Sequence, residues 1–541
     1  MALPPRYIRL WELLAFSFPG RVNAYYSVVG GHMNRSKTLS LLPVLLLTVL
    51  SLAACSGPKN RCTTNCTVGG NATVSFTLVA DTQPANPSIL SFKVSIVGIA
   101  LTPTSGAAVT LTPATTVVDL MRLQSDTAFL GALVANVPPG TYTVQVTLSS
   151  PEITFLNDTT SSITAGGTPC AVNAVCTATL SAAGTPSVAS FTFNATSGGQ
   201  QGIELDFNLK NAISLTSGTL SVNFNPASPN PGVFTAFTLP RTNANLGTNQ
   251  LALIEDFTGV VSISGTKVTI ASNTRGTLIA NSTSASFFDP SPDGNTCPTS
   301  TFTCVVNGQI ASVDAFLKSD GTLDLKEFEP LNATQQDFVE GIVYAVSSPG
   351  STQFTIAVTD KVHGATNPLI TGLNTGDRLT VNIGTQPFLV DSKGLGVKNS
   401  FAADYSLFAT QTTTSAIHPG QTVAVHVSAF TAANGTTLAI ATVDTVILRW
   451  SRFRANVASD TSNTVTIDTL PTYFGTLPSP QQTVQTFTGT LGADGITNLD
   501  GIANDTTGLT VGQPVGLRAL YLQNTGNNAT MPFFAAKVRK P

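Results

Sequence analysis

Apolar residues that alternate with Thr, Ser and Asn constrain the fold of this chain more than any other feature of its sequence. Val74, Phe76 and Leu78 follow this two-residue period, and the segments 203–209 and 423–427 repeat it. Successive side chains of a β-strand point to opposite faces of the sheet, so the alternation predicts strands with one buried face. The 44 Gly and 32 Pro residues supply turns between such strands. The pattern therefore predicts an all-β protein.

The length of the chain predicts several β-domains, because 541 residues are too many for one hydrophobic core. In 71–184 a Pro-Pro-Gly turn at 138–140 launches an alternating strand, as is typical of a β-sandwich. A second β-rich unit covers 185–254. The sequence leaves open whether this unit folds independently or extends the sandwich.

From residue 255 onward the chain repeats a Gly-Gln pair that stands just before a strand. The pair begins at Gly308, Gly420 and Gly512, and each following strand leads into a hairpin turn. Irregular copy lengths with about five strands each predict an N-terminal β-sandwich followed by tandem small β-barrel (OB-like) repeats. The expected repeats are 255–332, the longer 333–449, and 450–541. The recurring glycine predicts a turn with positive φ or a close approach between strands.

Residues 33–54 have the order of a bacterial lipoprotein signal peptide. Arg35 and Lys37 precede an apolar run at 39–52, and Leu-Ala-Ala-Cys then ends on Cys55. This order predicts export, cleavage before Cys55 and lipidation of that cysteine. We expect the lipid to attach the protein to a bacterial membrane, at the outer membrane or cell surface.

The segments on either side of this signal are interpreted from its position. Signal peptides have short positively charged beginnings, so 1–32 is interpreted as a start-site extension. Residues 55–70 are interpreted as the lipidated cysteine and a polar tether.

Six further cysteines fall into pairs that are close in sequence. The expected disulfides join Cys62 to Cys66, Cys170 to Cys176, and Cys297 to Cys304, one of several pairings that six cysteines allow. Export to an oxidising compartment favours disulfides. The alternative, metal binding, lacks both a Cys-x-x-Cys spacing and a neighbouring histidine.

The low charge of the chain argues against one class of function. Only 10% of the residues are charged and the net charge is −3, which excludes the dense basic patch of a nucleic-acid-binding protein. We therefore expect no nucleic-acid partner.

Trp450 is the one tryptophan after the signal, and basic residues flank it. Arg449 and Arg452 make this the most basic short stretch of the repeats. The stretch is interpreted either as a possible ligand contact or as a linker that packs between two barrels.

Two groups of acidic residues are weak candidate sites. Asp494, Asp500 and Asp505 lie in a Gly/Asn-rich loop that could bind Ca²⁺, although a solvated loop is the favoured interpretation. Glu204 and Asp206 share one face of a strand and could form a glycosidase pair, although a solvated face is again favoured. We predict no resident metal and no cofactor.

The sequence motifs of the strands and turns resemble those of two bacterial protein families of unknown function. The strand at 92–96, the strand end Asp119-Leu120 and the turn at 139–143 resemble the DUF4382 family. The Gly-Val/Ile-Val openings, the Gly-Gln strands and the closing Ala535-x-x-Val538 resemble the DUF5666 family. Neither family brings an established activity, so the resemblance implies no functional residue.

Two functional hypotheses remain open. No nucleophile elbow, phosphate-binding loop or paired-histidine motif occurs after the signal, which favours a non-catalytic anchored array of β-domains. Such an array would contact the membrane through its lipid and would have an envelope protein or a glycan as its partner. Its role would be binding or envelope structure. The alternative is a secreted hydrolase that acts on a polysaccharide through an unrecognised site, which turnover of a polymer would reveal.

Overall fold

The computed structural model describes most of the chain after residue 69. The described ranges are 70–112, 117–181, 186–226, 232–288, 301–332, 337–363, 368–391, 395, 402–475, 482–487, 497–503, 505–522 and 532–541. Gly69–Pro541 form one compact unit. This unit is built almost entirely of strands, which confirms the predicted all-β fold.

The N-terminal part is a β-sandwich. Its strands are β1 Ala72–Ala80, β2 Ser88–Pro103, β3 Val109–Leu111, β4 Val117–Asp119, β5 Ala128–Val137, β6 Gly140–Leu156, β7 Ile163–Ala165, β8 Thr168–Cys170, β9 Val175–Thr179, β10 Ser187–Ala195, β11 Gln200–Phe207, β12 Ile213–Thr216, β13 Thr219–Val222 and β14 Phe234–Leu239. One sheet has the order β14-β11-β1-β5, and the opposing sheet has the order β10-β6-β2-β3, with β4 on β2 and β9 on β6. A small third sheet has the order β12-β13-β7-β8.

Strands from 185–254 complete this sandwich. Strand β11 pairs in parallel with β1, and β10 pairs with β6, so the later strands enter both principal sheets. Phe92 and Phe207 contact each other edge to face, with ring centroids 6.3 Å apart, and both are buried in one continuous core. The question that the sequence left open is thus answered for β10, β11 and β14, which extend the sandwich.

Three six-stranded sheets follow, one for each predicted repeat. Barrel 1 contains β15 Gln250–Ser264, β16 Lys267–Ser272, β17 Gly276–Asn281, β18 Phe287–Phe288, β19 Ile310–Lys318 and β20 Leu323–Asn332. Barrel 2 contains β21 Phe338–Val346, β22 Gln353–Val362, β23 Arg378–Ile383, β24 Leu389–Val390, β25 Thr422–Thr431 and β26 Ala439–Arg449. Barrel 3 contains β27 Ser451–Asp460, β28 Thr464–Asp468, β29 Gln482–Gln485, β30 Asn498–Asp500, β31 Pro514–Tyr521 and β32 Phe533–Arg539.

The three barrels share one topology. In barrel 1 the order is β17-β16-β15-β19-β20-β18, and a parallel pairing of β17 with β20 closes the sheet on itself. Barrels 2 and 3 repeat this order, with closing pairs β23–β26 and β29–β32. Five strands closed in this way are the arrangement expected of an OB-like barrel, which confirms the predicted tandem repeats.

The Gly-Gln pair forms the same turn in each barrel. Gly308, Gly420 and Gly512 have φ angles of 83°, 90° and 81°, in the left-handed region that favours glycine. Each glycine donates its N–H to a carbonyl of the first strand of its barrel: Val261 at 2.8 Å, Val343 at 2.8 Å and Val457 at 2.7 Å. The pair therefore fixes where the strand that follows it (β19, β25 or β31) joins the first strand of its barrel.

The glutamine side chain completes this turn. The Oε1 atom of Gln421 accepts from the backbone N–H of His418 at 2.8 Å, and Gln513 accepts from Thr510 at 3.1 Å. Gln309 accepts from Val306 in the same way. The geometry assigns the Gly-Gln repeat to the architecture of the barrels.

The helices are short. They are α1 Leu209–Ala212 and α2 Ala402–Ala409, with single 3₁₀ turns at Arg122–Gln124, Phe302–Cys304, Thr414–Ala416 and Thr472–Phe474. None of the helices in the described ranges is long and apolar enough to cross a membrane.

Apolar contacts join the sandwich and the barrels. Leu239 of the sandwich packs into the core of barrel 1, and Ile310 of barrel 1 packs with Phe338 of barrel 2. Trp450 belongs to a core that contains residues of barrels 2 and 3, and Leu90 of the sandwich packs with barrel 3. The units are therefore packed together rather than strung along the chain.

Candidate functional site: a buried charged junction

Charged side chains converge where the sandwich meets the three barrels. All of the basic members have buried side chains, which are at most 6% exposed in those that form ion pairs. They are Arg122, Arg275, Arg449, Arg452, Arg454, Arg518, Lys537 and Arg539. The acidic members are Asp126, Glu255, Asp256, Glu340, Asp360, Asp391 and Asp500. We call these residues the charged junction. In a chain with so few charges, their concentration in the interior makes this region the candidate functional site.

Arg449 and Arg452 stand on either side of Trp450 and reach different units. Arg449, at the end of β26, donates to Asp256 of barrel 1 at 2.8 Å and to Asp391. Arg452, on β27, donates to Asp126 of the sandwich at 2.6 Å and also to Asp256. One carboxylate of barrel 1 thus joins barrels 2 and 3.

A β-bulge aims the carboxylates of barrel 1 into the junction. The pairing of β15 with β19 shifts between Ile254 and Phe257, so that Glu255 and Asp256 lie in the irregular segment. Asp256 has a φ of 47°, which a non-glycine residue rarely adopts. Bulges re-aim side chains in this way, and here two successive acidic residues are both buried.

The sandwich contributes the turn that follows β4. Arg122 lies 2.8 Å from Glu340 of barrel 2 and 3.6 Å from Asp360. Asp126 lies 3.6 Å from Arg275 of barrel 1. This turn therefore contacts all three barrels, since Asp126 also accepts from Arg452.

Barrel 3 presents basic residues side by side on neighbouring strands. Arg452 pairs with Arg518, and Arg518 pairs with Lys537. Like charges at paired positions repel each other, so this row requires carboxylate partners. Asp500 of the same barrel lies 3.4 Å from Lys537, and Glu255 of barrel 1 lies 2.8 Å from Arg518 and 3.4 Å from Lys537.

Close basic residues hold two buried carboxylates in the charged form. Burial alone would raise the pKa of Asp126, but Arg452, Arg275 and Arg518 outweigh it and keep the pKa below its usual value. Burial also opposes ionisation of Glu340, yet the neighbouring arginines hold the pKa of that carboxyl below its usual value. Both groups therefore act as permanent negative charges within the junction.

Asp360 behaves differently. Burial raises its pKa to about 6, because Arg122 compensates only in part and Glu340 adds a like charge. Burial likewise lowers the pKa of Arg275 to about 10 and that of Arg454 to about 10. The junction thus contains one carboxyl that titrates at mildly acidic pH.

Burial of the Trp450, Arg449 and Arg452 side chains corrects their interpretation as a possible ligand contact. Trp450 and Arg449 are completely buried, and the side chain of Arg452 is 6% exposed. Their side chains have partners in the protein, including a cation–π contact of Arg518 with the Trp450 ring at 5.7 Å. Their burial fits the alternative interpretation, in which this stretch packs between two barrels.

The acidic candidates for Ca²⁺ binding have separate roles. Asp494 lies outside the described residues. Asp500 is buried 3.4 Å from Lys537, whereas Asp505 closes its own turn by accepting from the N–H of Thr507 at 3.0 Å. Within the described ranges no three His, Cys, Asp or Glu residues are placed to hold a metal ion.

Glu204 and Asp206 are buried against barrel 3, which corrects the interpretation of a solvated face. Glu204 accepts from Arg241 at 3.0 Å. Burial, reinforced by Asp500, raises the pKa of Glu204, and burial also raises the pKa of Asp206. The pair is thus part of an interface between units.

The disulfide between Cys170 and Cys176 is present and confirms one predicted pair. Cys304 is also disulfide-bonded, and its expected partner Cys297 lies outside the described residues. Cys62, Cys66 and the lipidation site Cys55 lie outside them as well.

Two small cavities border the junction. One, of about 30 Å³, is lined by Arg122, Glu340 and Arg452. The other, of about 10 Å³, is lined by Glu204 and Asp500. Since a buried water needs roughly 10–15 Å³, the first has room for about two waters and the second for about one.

Sequence reasoning missed the junction as a unit, although a signal was present. Glu255 and Asp256 interrupt an apolar strand, whereas Arg518 lies between Leu517 and Ala519, on the face that strand alternation assigns to solvent. Charges inside an apolar strand require partners of opposite charge, which the pattern alone does not identify.

No protein-family model matches this chain, and no curated protein sequence matches it.

Proposed function

We propose that this chain is an exported lipoprotein, held on the membrane through Cys55, whose β-domains bind an envelope partner or a glycan without catalysing a reaction. The signal-like order of 33–54 supports the anchor, and several acyl chains would hold the protein stably. The resemblance to the DUF4382 and DUF5666 families stays a prediction.

The observation that carries the proposal is the charged junction. Its ion pairs connect the sandwich to barrels 1, 2 and 3, so the few charges of the chain serve to hold four β-units together. A rigid body of this kind presents three copies of a barrel type whose strands and loops bind oligosaccharides and oligonucleotides in other proteins. The low charge of this chain favours a neutral ligand over a nucleic acid.

Replacement of the lipidated cysteine tests the anchor. We expect Cys55→Ala to move the protein from the membrane fraction to the soluble fraction, because the lipid supplies the attachment. Cys62→Ala is the matched control, since it removes a nearby cysteine and leaves the signal intact. Unchanged sedimentation of the Cys55→Ala protein with membranes would contradict the anchor.

The chain from residue 56 onward, which lacks the anchor, tests the binding role. Specific retention of one envelope protein or one glycan is the expected result. Turnover of a polysaccharide by the same protein would instead establish the alternative, a secreted hydrolase.

A further inference from the structure

Lys537 and Asn498 occupy directly paired positions on neighbouring parallel strands of barrel 3, β32 and β30. Neighbouring strands lie about 4.8 Å apart, and paired residues of a sheet share one face. Lys537 is 1% exposed and Asn498 is 2% exposed. An amine and a primary amide therefore lie side by side in the interior.

One carboxylate oxygen of Glu255 contacts both groups. The Nζ atom of Lys537 lies 3.4 Å from Oε2 of Glu255. The Nδ2 atom of Asn498 donates a hydrogen bond to the same oxygen. A carboxylate in this place can take a proton from the amine and deliver it to the amide nitrogen.

The amide carbonyl of Asn498 is polarised by two donors. Its Oδ1 atom accepts from Nδ2 of Asn243 at 2.9 Å and from Nδ2 of Asn245 at 3.1 Å. Two N–H donors aimed at a carbonyl oxygen stabilise the negative charge that develops when a nucleophile adds to the carbon.

We propose that Lys537 and Asn498 form an intramolecular isopeptide bond, with Glu255 transferring the protons. Glu255 takes a proton from the ammonium of Lys537, and the free amine adds to Cγ of Asn498. The Cγ–Nδ2 bond then breaks as Glu255 returns the proton to the departing nitrogen. Lys537 gives up two protons in all, and both leave with that nitrogen as an ammonium ion, so no oxidant or reductant is needed.

The surroundings orient the reacting groups. Arg518 holds the other oxygen of Glu255 at 2.8 Å, and Asp500 holds Nζ of Lys537 at 3.4 Å. The cavity of about 10 Å³ lined by Asn243 and Asp500 has room for one molecule of the size of water or ammonia. For the amine to attack, Nζ must approach Cγ to the near-attack separation of about 3–3.5 Å.

The origin of the three residues sets the order of events. Lys537 and Asn498 belong to barrel 3, whereas Glu255 belongs to barrel 1. The bond therefore forms only after barrel 1 and barrel 3 have docked, and it then ties the last strand of the chain into its barrel.

Peptide mapping of the purified full-length protein tests the proposal. We expect the peptides that contain Asn498 and Lys537 to be recovered as one linked pair, lighter than their sum by one ammonia molecule. Lys537→Arg and Glu255→Gln should abolish the linked pair. Lys540→Arg, a change close by on the same segment, should leave it in place.

The wild-type protein alone decides the matter if the variants fold poorly. Separate recovery of both peptides with unmodified masses would overturn the proposal. Loss of ammonia at Asn498 without a link to Lys537 would overturn it as well. A linked pair that persists to the same extent in Glu255→Gln would remove Glu255 from the reaction.

Discussion

At the scale of single residues, the buried charges of this protein depend on partners that are distant in sequence. Arg449 is completely buried and contacts Asp256, which lies 193 positions away. A buried ion pair adds little compared with an apolar pair, but removal of one partner leaves an unpaired charge and costs about 3–5 kcal/mol. A buried charge whose partner lies in another unit is therefore stable only when that unit is docked against it.

Asp360 is the residue whose titration is expected to be visible. The groups that act on it are Arg122, Glu340, Lys93 and the backbone N–H of Lys361. Its pKa of about 6 in the folded state exceeds the unfolded value of 3.8, so the folded protein gains relative stability as pH falls from 6 towards 4. Above pH 6 the buried carboxylate is charged and lowers the free energy of unfolding, by about 3 kcal/mol at most.

Arg122 keeps Glu340 as a partner at 2.8 Å when Asp360 is replaced, so no charge is left unpaired. We therefore predict that Asp360→Asn raises the free energy of unfolding at pH 7.5 and that this gain shrinks towards pH 4. Denaturant unfolding of both proteins across this pH range measures the difference. Asp324→Asn, at a side chain that is 32% exposed, is the matched control for the same substitution outside the buried junction. A gain that stays constant with pH, or a loss at pH 7.5, would contradict the assignment.

At the scale of elements, the turn after β4 docks on a strand of barrel 3. A side chain at Gly516, on β31, would place its Cβ 2.2 Å from the carbonyl oxygen of Gln124. The φ of Gly516 lies outside the left-handed region, so the glycine is required by this contact and not by its own strand. The contact also brings Asp126 to Arg452.

We predict that Gly516→Ala destabilises the protein by about 1–3 kcal/mol, because the added methyl group forces the sandwich away from barrel 3. Thermal unfolding measures the change. Gly98→Ala is the matched control, since its Cβ would have its nearest neighbour at 3.8 Å and we expect a change of about 0.5 kcal/mol or less. Equal stability of the two variants would show that the docking contact is absent in solution.

The elements themselves were largely predictable, whereas their docking was not. Alternation identified strands such as β1, and the Gly-Gln pairs at Gly308, Gly420 and Gly512 identified an equivalent turn in each barrel. These are local signals, because strand faces and positive φ angles depend on nearby residues. Pairing of Glu255 with Arg518 depends on how two barrels pack, and no local pattern encodes that arrangement.

At the scale of the whole molecule, the sandwich and the barrels share both apolar and charged interfaces. The neighbouring residues Arg452 and Arg518 would repel each other in an isolated barrel 3, and carboxylates of the sandwich and barrel 1 neutralise them. Domains that are only tethered unfold one by one, whereas units with mutually dependent cores unfold together. We therefore expect residues 69–541 to unfold as one cooperative body.

Scanning calorimetry of the chain from residue 56 onward measures whether the units unfold together. We expect one heat-absorption peak in which the calorimetric enthalpy equals the van't Hoff enthalpy, because Arg452 and Arg518 of barrel 3 are neutralised by carboxylates of the sandwich and barrel 1. Two or more separable peaks, with a calorimetric enthalpy well above the van't Hoff value, would contradict it.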